Sequence, residues 1–169
     1  MAELTPLEKL QPCLLDRLTD DEPGNKQESR NKRVISMPKY RQAVMRDLSW
    51  LLNTHANAEK SGFDRFEEIP SSVLNFGLQN AAGMTVSGLN IDDMRYQITE
   101  ALRRFEPRIL PDTLSIVVSM DPNEMGQHRS LIFEIRGALW SQPLPESLFI
   151  KTELDLESGK SRVNWGGGG

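Results

Sequence analysis

The strongest constraint on the fold is a change in the period of the apolar residues around Pro107 and Pro111. Ahead of these prolines, apolar residues recur every three or four positions. Tyr40, Ala43, Val44, Leu48, Leu51, Leu52 and His55 keep to one face of a helix opened by Pro38. Ile91, Met94, Ile98, Leu102 and Phe105 do the same in a second helix, with Asn90 as N-cap and Asp93 in its first turn. Pro107 ends that helix at about Phe105. Beyond Pro111 the period falls to two. Leu114, Ile116, Val118 and Met120 alternate with Thr113, Ser115, Val117 and Ser119, and Leu131, Phe133 and Ile135 alternate with Ile132, Glu134 and Arg136. A third run sets Leu148, Ile150, Thr152, Leu154 and Leu156 against Phe149, Lys151, Glu153, Asp155 and Glu157, and Ser158-Gly159 turns the chain into Arg162-Val163-Asn164-Trp165. Helices followed by closely connected strands predict an α+β fold, with N-terminal helices packed on one face of a C-terminal antiparallel sheet.

Two shorter features flank this pattern. Leu7, Leu10, Leu14, Leu15 and Leu18 describe a leucine-faced helix that Pro12 restricts to a start near itself. Residues 19 to 33 contain no member of the apolar set and read as a solvated linker, including its charged run Glu28-Ser29-Arg30-Asn31-Lys32-Arg33. Between the two main helices, Ser71-Ser72-Val73-Leu74-Asn75-Phe76 ends at Gly77, as a short helix with a glycine stop would. The expected organisation is a docking helix over 1–18, a linker over 19–36, one α+β domain over 37–165 and a flexible tail over 166–169.

Composition removes several classes of function. The 169 residues carry 20 Lys plus Arg against 24 Asp plus Glu, a net charge of −4, which disfavours bulk nucleic-acid binding. Cys13 is the single cysteine, and His55 and His128 do not share a metal-ligand spacing, so neither a disulfide framework nor a metal or other cofactor is expected. The longest apolar runs fall far short of the ~20 residues of a membrane helix, and the first residues do not read as a secretory signal. A cytoplasmic location is expected.

The most chemical-looking segment is Arg103-Arg104-Phe105-Glu106-Pro107-Arg108, where a glutamate sits at a helix C-terminus among arginines. A carboxylate there opposes the helix dipole, and the arginines are its compensation. A lysozyme-type acid would need an apolar pocket and a second carboxylate across the scissile bond, and cationic neighbours act the other way on its proton affinity. No catalytic residue is therefore assigned. Gly159-Lys160-Ser161 imitates the end of a phosphate loop, but position 154 is Leu154 where that motif needs glycine, so a hairpin turn is expected. The charged outward face of the 148–157 strand suggests an edge strand, to which a partner strand could add beside Thr152 and Leu154.

These pieces resemble a known family, the TssE subunit of type VI secretion baseplates, which is similar to the wedge protein of contractile-phage baseplates called lysozyme-like. Its carriers are Leu14-Leu15-Asp16-Arg17-Leu18, Arg46-Asp47-Leu48-Ser49-Trp50-Leu51-Leu52-Asn53-Thr54, Ser72-Val73-Leu74-Asn75-Phe76-Gly77 and the triplet Glu106-Pro107-Arg108. The resemblance implies a non-enzymatic wedge subunit with a sheet similar to the handshake fold of sheath subunits. It implies TssF and TssG as wedge neighbours, TssK in the same baseplate and the TssB/TssC sheath above, with six copies per baseplate docked at the inner-membrane complex. Glu106, Pro107 and Arg108 are implied as the wedge attachment point. Leu14, Leu15 and Leu18 are expected to form a second docking face.

Overall fold

The computed structural model describes residues 10, 12–20, 23–24, 35–57, 65–79, 90–120 and 130–166. Leu7, most of the 19–33 linker, His128 and residues 167–169 lie outside the described residues, so the readings that fall on them have no structural counterpart here.

Among the described residues three α-helices and four strands follow in the expected order: α1 (Leu14–Leu18), α2 (Met37–Asn53), α3 (Ile91–Phe105), β1 (Ser115–Met120), β2 (Ser130–Leu139), β3 (Glu146–Asp155) and β4 (Ser161–Trp165). The strands form a four-stranded antiparallel meander in the order β1-β2-β3-β4. Pro38 stands in the first turn of α2, where its missing N–H leaves no helical bond unmade. Asn90 caps α3, its side-chain oxygen accepting from the Asp92 and Asp93 amides.

The apolar stripes meet where their periods direct them. Val44, Leu48, Leu51 and Leu52 of α2 and Ile98, Ala101 and Leu102 of α3 form one core with Phe133, Ile135, Leu148, Ile150 and Leu154 of the sheet. Burying side chains of this size contributes roughly 1.5 to 3 kcal/mol each before the cost of ordering them. Ile132, expected on the polar face of β2, is also buried, while Glu134 and Arg136 on that face are not.

Three local expectations change. α2 ends at Asn53, and His55 lies beyond it, exposed and in a bridge with Leu78 rather than on the helix's apolar face. The Leu78 amide donates to Thr54 O at 2.9 Å and the Ala56 amide to Leu78 O at 2.8 Å, so main-chain pairing replaces the next helical turn. The segment before Gly77 is two 3₁₀ turns, Ile69–Ser71 and Val73–Asn75, and not one helix. Gly77 has φ +124°, and a Cβ there would stand 2.2 Å from Thr54 O, so only glycine closes this clip.

The third strand is not an edge. The turn at Ser158-Gly159 folds β4 back so that Ile150 to Leu154 of β3 pair with β4 on one side and β2 on the other. Thr152 and Leu154 have a strand on each side and are both buried, which removes the open ladder expected beside them. β1 and β4 are the edges.

Candidate functional site

The C-terminus of α3 builds the site. Pro107 lacks the N–H that another turn would need, so the helix stops at Phe105 while the Glu106 amide still donates to Leu102 O at 2.9 Å. The Ile109 amide returns to Glu106 O at 3.1 Å, and the Trp140 amide donates to Arg108 O at 2.7 Å, tying the turn to the end of β2.

Inside that turn Glu106 is 3% exposed. Arg108 Nε donates to Glu106 Oε1 at 2.6 Å, its amide donates to the same oxygen at 3.2 Å, and its Nη2 donates to Oε2. The two-point fork occupies both oxygens that a general acid would have to turn toward a substrate. Nη2 also donates to Asp47 Oδ2 at 2.7 Å, reaching α2. Burial alone would lower the Arg108 pKa, but the hydrogen bonds and charges of Glu106 and Asp47 outweigh it and hold the guanidinium above its ordinary value. Arg103 and Arg104, the other expected compensators, turn instead to Glu100, one helical turn back.

The chain of charges continues past the triplet. Arg46 Nε donates to Asp47 Oδ1 at 2.8 Å, and Arg46 Nη1 donates to Asp16 Oδ1 on α1. Cys13 Sγ donates to Asp16 Oδ2 at 2.8 Å, and Arg46 Nη2 approaches that sulfur at 3.6 Å. The Asp16 carboxyl is held below the usual carboxylate value: burial pushes it up, and the hydrogen bonds from Cys13 and Arg46 with the Arg46 charge pull it down further. The Arg46 guanidinium also lies 5.3 Å from the centre of the Trp50 ring, a cation–π distance.

α1 is therefore fastened by its polar side. Leu14 and Leu18 are 71% and 74% exposed, and Leu15 is exposed as well. Beside α1 an open groove runs between Cys13, Trp50, Phe76, Phe105, Pro107 and Arg108. Phe76 and Phe105 meet edge to face at 5.2 Å on its floor, and Trp50 is 51% exposed. The structure thus brings Glu106, Pro107 and Arg108 close to the α1 segment that carries Leu14, Leu15 and Leu18, and leaves Thr152 and Leu154 apart in the sheet core. Cys13, Arg46, Asp47 and Trp50 had no assigned role. The adjacent pair Arg46-Asp47 one turn ahead of an exposed Trp50 was the signal that could have marked them.

Among the described residues no group of three or more His, Cys, Asp or Glu is placed to hold a metal, and no helix is long and apolar enough to cross a membrane.

The described residues thus form a helical layer on a four-stranded sheet, with a charged turn beside a surface groove. A family model matches residues 38–144, a span that takes in α2, α3, β1, β2 and the Glu106-Pro107-Arg108 turn, and its description is baseplate wedge protein gp25. The chain belongs to this TssE-like baseplate wedge family and has the structural role in a baseplate that the family defines. No curated protein and no solved structure matches the chain.

Proposed function

We propose that this chain is a non-enzymatic subunit of a type VI secretion baseplate wedge, which links the wedge to the first ring of the contractile sheath and helps to start sheath assembly. Its wedge neighbours are TssF and TssG, TssK shares the baseplate, and the TssB/TssC sheath lies above. Six copies act in each baseplate, on the cytoplasmic side of the inner-membrane complex, without nucleic acid and without membrane insertion. Residues 1–18 are the N-terminal docking helix, 19–36 the linker and 37–165 the wedge domain.

The observation that carries this reading is the Glu106-Pro107-Arg108 turn, fixed by Asp47 beside an apolar groove within the segment that matches the wedge family. Sheath pairing falls to β1. The Asn53 side chain donates to Ser161 O and accepts from the Ser161 amide, so α2 already occupies the start of the β4 edge. β1 has β2 as its one strand neighbour among the described residues, and its Val117 is half exposed.

Co-purification with TssF and TssG at fixed stoichiometry tests the wedge half. Recovery of the complex should fall in Arg108→Ala, and undiminished recovery overturns the assignment. A proline scan over 115–119 tests the sheath half, because positions whose N–H faces away from β2 keep the fold and lose only sheath assembly. Equal loss of wedge and sheath assembly at every folded position counts against it. Peptidoglycan hydrolysis by the purified protein, abolished in Glu106→Gln, would replace this reading with a muralytic one.

A further inference from the structure

We propose that the outer edge of β4 fits a second copy of this chain, and that the side-chain amide of Asn53 holds that edge closed. The inference concerns self-pairing and stands apart from the wedge and sheath assignments.

The main chain of β4 decides which groups are at stake. In an antiparallel ladder alternate residues turn both their N–H and their C=O to the same neighbour. The Asp155 amide donates to Lys160 O at 3.0 Å and the Gly166 amide to Phe149 O at 2.9 Å, so Lys160, Arg162, Asn164 and Gly166 face β3. Ser161, Val163 and Trp165 therefore direct their main-chain groups away from the sheet. Among the described residues Ser161 alone of these three is met on that side. Asn53 Nδ2 donates to Ser161 O at 2.9 Å, and Asn53 Oδ1 accepts from the Ser161 amide at 2.9 Å. A residue of a fifth strand would make the same two bonds. Nδ2 also donates to Ser49 O at 2.8 Å, one turn back in α2, which fixes the orientation of the amide. The side chain thus stands in the path that an added strand would follow.

A second copy supplies the strand that matches this edge. A two-fold axis through Val163 sets Val163 against the partner's Val163 and Ser161 against the partner's Trp165, so every outward N–H and C=O of both copies finds a complement. On the solvent face the same register sets Arg162 against the partner's Asn164 and Lys160 against the partner's Gly166, with no like charges opposed. Opening the edge costs each copy its two Asn53 bonds to Ser161, which weakens self-association about tenfold or more.

Sedimentation velocity of the full chain over a roughly hundredfold concentration range, combined with hydrogen exchange, tests the proposal. The unaltered chain should leave the Val163 and Trp165 amides unprotected at every concentration. Asn53→Ala should self-associate at least about tenfold more tightly, and its Ser161, Val163 and Trp165 amides should gain protection as concentration rises. Adding Val163→Pro should abolish this, because that N–H faces away from β3 and a proline there keeps the ladder while removing the central donor. Adding Asn164→Arg instead, a change confined to the solvent face, opposes Arg162 and should loosen the pair about threefold. Protection of the Asp155 and Gly166 amides reports in each variant that β4 stays in place. Self-association of Asn53→Ala no tighter than that of the unaltered chain overturns the proposal, as does association that both added changes leave intact. Loss of Asp155 and Gly166 protection in Asn53→Ala would make Asn53 a fastening for β4 rather than a stop at its edge. Concentration-dependent protection of Val163 and Trp165 in the unaltered chain would show that Asn53 does not close the edge.

Discussion

The guanidinium of Arg108 folds back across Pro107 onto the carboxylate of Glu106, and the same Nη2 that closes this fork reaches Asp47 at 2.7 Å. The triplet is thus an internal brace as well as a surface feature. Its glutamate is enclosed by its own arginine, and what the turn offers outward is Pro107 and the remaining edge of Arg108.

Glu106→Ala should consequently destabilise the domain in addition to weakening wedge recovery. Glu106→Ala breaks both bonds of the fork while Arg108 keeps Asp47, a loss of about 2 kcal/mol, whereas Arg108→Ala strands the buried carboxylate, a loss of about 3 kcal/mol. Urea unfolding measures both. The Glu106→Ala/Arg108→Ala double variant should be less destabilised than the two single losses summed, because the second change removes the stranded charge. A loss within experimental error of zero for Glu106→Ala would show that the brace contributes nothing.

Much of this arrangement could be read from the residues, and the reasons for the remainder are specific. The α2 and α3 stripes and the alternation in β2 and β3 were legible because burial itself imposes the periods of 3.6 and 2. Alternation reports which face a residue occupies and says nothing of which strands lie beside it, so the charged face of β3 was read as an edge although β4 completes the ladder. The helix-end arginines followed the same logic. Spacings of three and four residues send Arg103 and Arg104 to Glu100, whereas the Arg108 link to Asp47 spans 61 positions and exists only once α2 and α3 have packed.

Thr152 offers a second stability measurement. It is 0% exposed, faces the core from the middle of β3, and its hydroxyl has no hydrogen-bond partner among the described residues. Thr152→Val keeps the branched shape and removes the orphaned group, so it should stabilise the domain by about 1 kcal/mol, a rise of roughly 2 to 4 °C in Tm. Wedge recovery should not change, since this side chain is enclosed in the core. A fall in Tm would mean the hydroxyl is satisfied in solution.

Gly77→Ala should act in the opposite direction. Its φ of +124° is strained for any side chain, and the added Cβ would stand 2.2 Å from Thr54 O, against main chain that is held by the bond from the Leu78 amide. The expected loss is about 3 kcal/mol. Exchange of the Ala56 and Leu78 amides should accelerate with it, because both bonds belong to the clip that Gly77 closes. Unchanged protection at those amides would place the clip elsewhere.

The seating of α1 should depend on pH in one direction only. Asp16 is held below its ordinary value of 3.8 despite burial, because the folded form favours the carboxylate facing Cys13 and Arg46. A group with a depressed pKa contributes its full stabilisation above the unfolded value of about 4 and loses it as pH falls through the lower folded value. Arg46 keeps its charge throughout, so the carboxyl of Asp16 is the titrating member of the pair. Exchange protection at the Arg17 and Thr19 amides, corrected for the intrinsic rate, should be flat from neutral pH to about 4 and then decline. In Asp16→Asn the protection should already be low at neutral pH and the acid step absent. A protection that instead rises on acidification would require α1 to be held by something other than this carboxylate.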